Sequence, residues 1–181
     1  VIGGIVVNII PMVHEGGLSL EQAAWVAGVV GASAVAGPLV CGALVNRVGG
    51  QHIMAVLLTL PIVTALILME PGMTMLSASI AIAFLGFSSG GQLEMLVYLV
   101  ARHFGLRAFG SIFGVIGGVL SLAVGVGPIV AGKVYDVTHS YYLMLVADIP
   151  LSLIGVGLMM LLGNYPDQAA APMPALAEAA E

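Results

Sequence analysis

The chain has 181 residues, of which 60% are hydrophobic and 7% charged, with a formal net charge of -5 and a mean hydropathy of +1.15. An ordinary soluble domain carries about 25% charged residues, and a soluble chain this apolar would lack the polar groups to cover its surface. Residence in a membrane therefore follows from composition. Three of the acids, Asp167, Glu178 and Glu181, lie in the C-terminal tail; the remainder is close to balanced, which argues against a nucleic-acid partner.

Six apolar segments are set off by polar punctuation. The first, 1–13, closes at His14-Glu15-Gly16-Gly17. It is shorter than the ~20 residues that a spanning helix needs. The sequence shows no secretory leader and is expected to begin inside its first membrane helix. The second segment, about 20–45, closes at Asn46-Arg47-Val48-Gly49-Gly50-Gln51-His52; the third, about 53–69, at Glu70-Pro71-Gly72; the fourth, about 73–101, at a basic connector, Arg102 to Arg107. The fifth, about 108–134, closes near Asp136 to Ser140, and the sixth covers about 141–162. The runs do not alternate apolar and polar residues as a membrane barrel requires, so helices remain. Residues 1–163 are expected to form one six-helix domain, and 164–181, rich in Ala and Pro, a disordered tail.

Orientation follows from the cations. Arg47, Arg102 and Arg107 fall in loops on one side, and only Lys133 on the other, so the arginine side and the tail are expected to be cytoplasmic. Cys41, the single cysteine, can form neither an intrachain disulfide nor a cysteine metal cluster and reads as a small buried apolar residue.

The chain also repeats itself. Gly37-Pro38-Leu39-Val40-Cys41-Gly42 aligns without a gap on Gly127-Pro128-Ile129-Val130-Ala131-Gly132, and the following spans carry Pro61 and Pro150 at nearly the same offset. Two copies of a three-helix unit, the second inverted because three is odd, match an architecture used by secondary transporters. The predicted fold is thus all-α: a polytopic bundle of six transmembrane helices in two inverted three-helix repeats.

These residues carry a resemblance. Gly42-Ala43-Leu44-Val45-Asn46-Arg47-Val48-Gly49 resembles the G-x-x-x-D-R-x-G loop of the major facilitator superfamily. The stretch from Tyr98 to Gly110 and the stretch NIIPMVHEGGLS from Asn8 to Ser19 are similar to the monocarboxylate and oxalate/formate branch. The resemblance covers the chain to about Pro166 and implies helices seven to twelve of a twelve-helix porter, with an amino-terminal half as partner. Two positions depart from the motif: Asn46 stands where it has an acid, and Gly50-Gln51 where it has a basic pair. The charge contacts that gate the cytoplasmic side would then be weaker.

Glu94 is the sharpest single feature. It lies about 12 Å inside the arginine end at 1.5 Å per residue and shares a face with Gly90 and Tyr98. Intramembrane acids mark ion or substrate pathways by default, and loss of hydration suits a reversible proton carrier; the structural alternative is one helix–helix hydrogen bond. Gln92 points about 200° away around the helix. Asp148 is a second intramembrane acid, expected to pair with Lys133 as a tether or an outer gate, unless Lys133 snorkels to the interface. Asn8, three residues before Pro11, fits either a broken-helix substrate site or a kink whose amide satisfies a freed carbonyl. His14 and Glu15 do not make a metal site, and GVIGG lacks the Lys-Ser/Thr of a phosphate loop. Arg102, His103 and Arg107 serve topology and lipid contact or a cytoplasmic gate. The small-residue ladders Gly28-Ala32-Ala36 and Gly110-Gly114-Gly118 suit close helix packing.

The sequence reading is therefore a secondary transporter for small organic anions such as mono- or dicarboxylates, working by alternating access with proton symport or anion exchange. It sits in a bilayer, expected to be a bacterial inner membrane. No enzyme chemistry and no cofactor are expected, since no Ser/His, paired-acid or metal arrangement has usable spacing. The alternative is a self-standing six-helix protein that homodimerises as a small transporter or channel.

Overall fold

Two of the long helices begin where short polar side chains cap them. In the computed structural model, which describes residues 5–6, 8–70 and 72–162, Ser19 accepts from the Gln22 backbone N–H while the Gln22 side chain accepts from the Ser19 N–H. Thr74 and Ser77 form the same reciprocal box. Each box satisfies backbone donors that a helix start otherwise leaves open.

The elements are α1 (Ile9–Glu15), α2 (Leu20–Val48), α3 (Gly50–Leu68), α4 (Met75–Gly105), α5 (Arg107–Thr138) and α6 (Tyr142–Leu161). Ile5 and Val6 are helical ahead of α1, and Asn8, at φ -105° and ψ 16°, turns the chain between them. α2 to α6 are each long and apolar enough to cross a membrane. The described residues contain no strand, and the fold is the all-helical half-bundle that the apolar pattern predicts.

Two predicted loops are tighter than expected. Gly42, Asn46 and Arg47 lie on the last turns of α2 rather than in a loop, and only Gly49, at φ 84°, breaks the chain before α3 starts at Gly50. Arg102 closes α4 and Arg107 opens α5, with the break confined to Gly105 at φ 72° and ψ 167°. That backbone region is essentially open to glycine alone. In both places the helix outlasts its apolar run because polar side chains at a helix end meet interfacial water. The tail from 163 onwards, predicted to be disordered, lies outside the described residues, as do 1–4.

Close backbone approaches and interhelical hydrogen bonds fix α2, α3 and α4. A Cβ at Gly37 would collide with the backbone of Phe87 and Gly91, and one at Gly90 with the carbonyl of Ala34. Ala34 is four residues before Pro38, whose missing N–H leaves that carbonyl without its helical donor. The α4 backbone therefore comes to rest where α2 has an open acceptor. Pro61 does the same to Leu57 of α3, and here α4 supplies donors. Ser88 Oγ donates to the Leu57 carbonyl at 2.7 Å, and Gln92 Nε2 donates to it at 3.4 Å and to Ser88 Oγ at 2.7 Å. Thr64 Oγ1 donates to the Ala81 carbonyl at 2.8 Å about two turns further along. Two apolar clusters surround these contacts, one around Ile9, Val26, Ala65 and Leu85 and one around Cys41, Leu57, Met95 and Leu99. α6 packs on α3 through Gly155 against Leu58.

The small-residue ladders do not take part. Gly28, Gly110, Gly114, Gly117, Gly118 and Gly125 have open space where a Cβ would stand, and the most apolar stretch of α5 holds no buried residue. The expected static packing within the chain is thus corrected. α2 uses a neighbouring face, Ser33, Ala34, Gly37 and Cys41, to meet α4, and both ladders face outward.

Candidate functional site

The bundle has chemically distinct ends. Because α2 to α6 run alternately up and down, Arg47, His52, Arg102, His103 and Arg107 gather at one end. Glu15, Glu21, Glu70, Asp136 and Lys133 gather at the other. At the arginine end His103 Nδ1 lies 3.1 Å from the Leu99 carbonyl, while Arg102 and Arg107 are exposed.

Between the ends, α4 presents two polar residues with different fates. Gln92 is turned toward α3, held by Ser88 and the Leu57 carbonyl. Glu94, about 200° round the helix, is exposed. It is therefore not the buried carboxyl that its sequence depth implied. It stands on the side of α4 turned away from α3, with Tyr98, half-buried, one turn on. This divides the labour: Gln92 repairs a proline break, and Glu94 is left available.

Asp148 is the acid that is buried, at 1% exposure. Its Oδ1 accepts from Ser152 Oγ at 3.3 Å, and its Oδ2 has no partner among the described residues. The expected pair with Lys133 does not form. Asp148 shares the buried face of α6 with Tyr141 and Leu145, whereas Lys133 is exposed on α5. The geometry follows from spacing: 141, 145, 148 and 152 recur on one helical stripe, and that stripe is the one α6 turns to the core.

Sequence reasoning missed a cluster at the acidic end. Tyr141 Oη donates to Asn8 Oδ1 at 3.2 Å, joining residues far apart in the chain. The Tyr141 ring stacks on Tyr135 at 4.6 Å between centroids, and His139 meets Tyr135 edge-on at 6.5 Å. The Glu15 carboxylate lies near the Tyr135 hydroxyl. Burial, followed by the carboxylates of Glu15 and Asp136, pushes the Tyr141 hydroxyl above the usual phenol range. The cluster ties α1, α5 and α6 together at one end, while the rest of α5 stays largely open. His14 belongs to the same end: its Nδ1 lies 2.8 Å from the Leu18 carbonyl and tightens the turn into α2. Asn8 is the N-cap residue of α1, and its amide oxygen accepts from Tyr141 at the start of α6.

No group of three or more His, Cys, Asp or Glu among the described residues is arranged to hold a metal ion. The polar side chains instead do three things: they mend proline breaks, latch one end of the bundle, and leave one carboxylate, Glu94, on an open intramembrane surface.

No curated protein matches the chain. The family model of the Major Facilitator Superfamily matches residues 2–177, nearly the whole sequence. With its long apolar helices and its inverted repeat, this all-α membrane protein is a transporter that belongs to the Major Facilitator Superfamily.

Proposed function

We propose that the chain is the carboxyl-terminal half of a transporter that moves small organic anions, such as mono- or dicarboxylates, by rocking two six-helix halves about a midplane site. The observation that carries this reading is the outward face of α2 and α5. Gly28 of α2 and Gly110, Gly114 and Gly118 of α5 have open space where a Cβ would stand, and Ala32 and Ala36 are exposed, a surface on which other helices can approach closely. Glu94 stands on an open side of α4 at a depth where acids serve substrate or proton pathways. In this reading Glu94 takes up and releases the coupled proton, with Tyr98 beside it. Asn8 and Asp148 contribute from the α1 and α6 side, and Arg102 and Arg107 contact the cytoplasmic ends of the other half. The resemblance of 42–49 and 98–110 to the monocarboxylate and oxalate/formate branch supplies the substrate class. The membrane is a bacterial inner membrane, with the arginine end and the tail in the cytoplasm. Symport with a proton and exchange against a second anion are separated by experiment. Glu94→Gln in the full-length protein abolishes uptake driven by a pH gradient and spares anion exchange; unchanged pH-driven uptake removes Glu94 from coupling.

A second reading has the same support, since open ladders on α2 and α5 also suit a second copy of this chain. The coding sequence upstream of Val1 discriminates: six further apolar segments in frame support the half-transporter, and a nearby start codon supports the homodimer.

A further inference from the structure

A cleft of about 400 Å³ runs between α5 and α6 on the half of the bundle nearer its acidic end. Its α5 wall mixes small residues, Ala123, Gly127 and Ala131, with valines, and its α6 wall includes Leu143, Ala147 and Leu151. Every lining side chain is apolar. The two helices are joined by a short turn at 139–141, so they cannot separate far at that end, yet below it they stay apart.

Three features define what fits. The α5 wall extends from Ala123 to Val134, about 16 Å at 1.5 Å per residue. That is the length of one leaflet's hydrocarbon, half of a ~30 Å core. The cleft volume lies in the range of pockets that enclose small ligands. Finally, Lys133 lies seven residues after Val126, a cleft residue, and so follows the rim two turns further toward the membrane surface. It is exposed, about five residues inside the end of α5 at Thr138, and forms no ion pair with Asp148, the acid it was expected to meet. It is also the only lysine in the chain.

We propose that this cleft binds one acyl chain of an anionic phospholipid from the leaflet at the acidic end of the bundle, with the Lys133 ammonium meeting the headgroup phosphate. The apolar walls hold the chain without regard to headgroup, and Lys133 supplies the selectivity. The lipid fills the space beside α5 that α6 leaves open and supports a helix with little other packing within this chain.

The test is photo-crosslinking of the full-length protein in vesicles. One probe is a phosphatidylglycerol carrying a diazirine near the middle of its chain; the other is a phosphatidylcholine with the same chain. Adducts are mapped by peptide mass spectrometry. Adducts on the peptides spanning 123–134 and 143–151 are about fivefold more abundant with the phosphatidylglycerol, the ratio given by the ~1 kcal/mol that one lysine contributes toward an anionic headgroup. Lys133→Gln brings the two probes to equal yield at these peptides. Ala147→Leu, which fills the cleft and leaves the lysine in place, lowers the yield of both. Equal labelling by the two probes in the unaltered protein would mean bulk lipid only. No labelling of these peptides would mean that protein fills the cleft. Either result overturns the proposal, as does a phosphatidylglycerol preference that survives Lys133→Gln.

Discussion

The break that Pro61 makes in α3 gives a direct measure of how this bundle is held. Proline removes the N–H that would bond the Leu57 carbonyl, and Ser88 of α4 replaces it at 2.7 Å with full burial. Ser88→Ala removes that donor. It leaves the carbonyl with Gln92 at 3.4 Å and takes away the 2.7 Å acceptor of the Gln92 amide. One net hydrogen bond is worth about 1 kcal/mol, and interhelical bonds in membrane proteins average about 0.6 kcal/mol with a maximum near 1.7. With a second bond disturbed, the expected cost is about 1–2 kcal/mol. In a Pro61→Ala background the helix supplies its own donor again, so the Ser88→Ala cost should fall by about half. The coupling in the double-mutant cycle should then be about 0.5–1 kcal/mol. Reversible unfolding of the full-length protein in mixed detergent micelles measures all four corners. Additive costs, with coupling below about 0.3 kcal/mol, would refute the assignment of Ser88 as the substitute donor.

Other predictions concern separate contacts. Gly37→Ala puts a methyl group against the α4 backbone at Phe87 and Gly91 and should cost about 1–3 kcal/mol in the same unfolding assay. Gly28→Ala, with nothing within 4 Å inside this bundle, should in the full-length protein weaken the close approach of the other half proposed for the α2 ladder; unchanged stability in the same assay would remove that contact. Gly105→Ala forces a side chain into a glycine-only region of backbone space and should cost about 1–3 kcal/mol, read as a lower melting temperature. Tyr135→Phe removes the hydroxyl that lies near Glu15 while keeping the ring stack on Tyr141. Maleimide labelling of Met12→Cys, otherwise buried in α1, should become several-fold faster, and an unchanged rate would show that the cluster does not hold that end closed. Because the Tyr141 hydroxyl is held above the usual phenol range, its folded form keeps the proton more firmly than its unfolded form. Its contribution is therefore fully present through neutral pH and is lost only as pH rises past about 10. Once divided by the thiolate fraction of the cysteine, labelling of the Met12→Cys protein with Tyr135 intact should be flat from pH 6 to 9.

How much of this was legible in the sequence depended on the range of the interaction. The spans were readable because a backbone in lipid must satisfy itself and long apolar runs have no other solution. Asn46 and Arg47 misled at the boundary, because a polar residue ends the hydrocarbon segment without ending the helix. Glu94 and Gln92 were correctly set on opposite faces by the helical period alone, but the period does not tell which face is covered. α3 covers the Gln92 face, for a reason that lies in Pro61, and that pairing needs the register of two helices. Asp148 was visible as an intramembrane acid; its supposed partner Lys133 was inferred from nearness to the same membrane surface, and the rotation of α6 separates them. The cluster of Asn8, Glu15, Tyr135 and Tyr141 left almost no local signal, since it joins the first helix to the last two. The inverted repeat was the one long-range feature that the sequence carried openly, in Gly37-Pro38 and Gly127-Pro128.

Transport of small organic anions is the proposal on which the rest depends, and an uptake assay decides it. The full-length protein, reconstituted in sealed vesicles, is offered a panel of radiolabelled mono- and dicarboxylates beside neutral sugars and organic cations of similar size. The account predicts saturable accumulation of one or a few carboxylates, accelerated by a pH gradient or by a preloaded second anion. Accumulation confined to the sugars or the cations, with no carboxylate moved under either driving force, would contradict it.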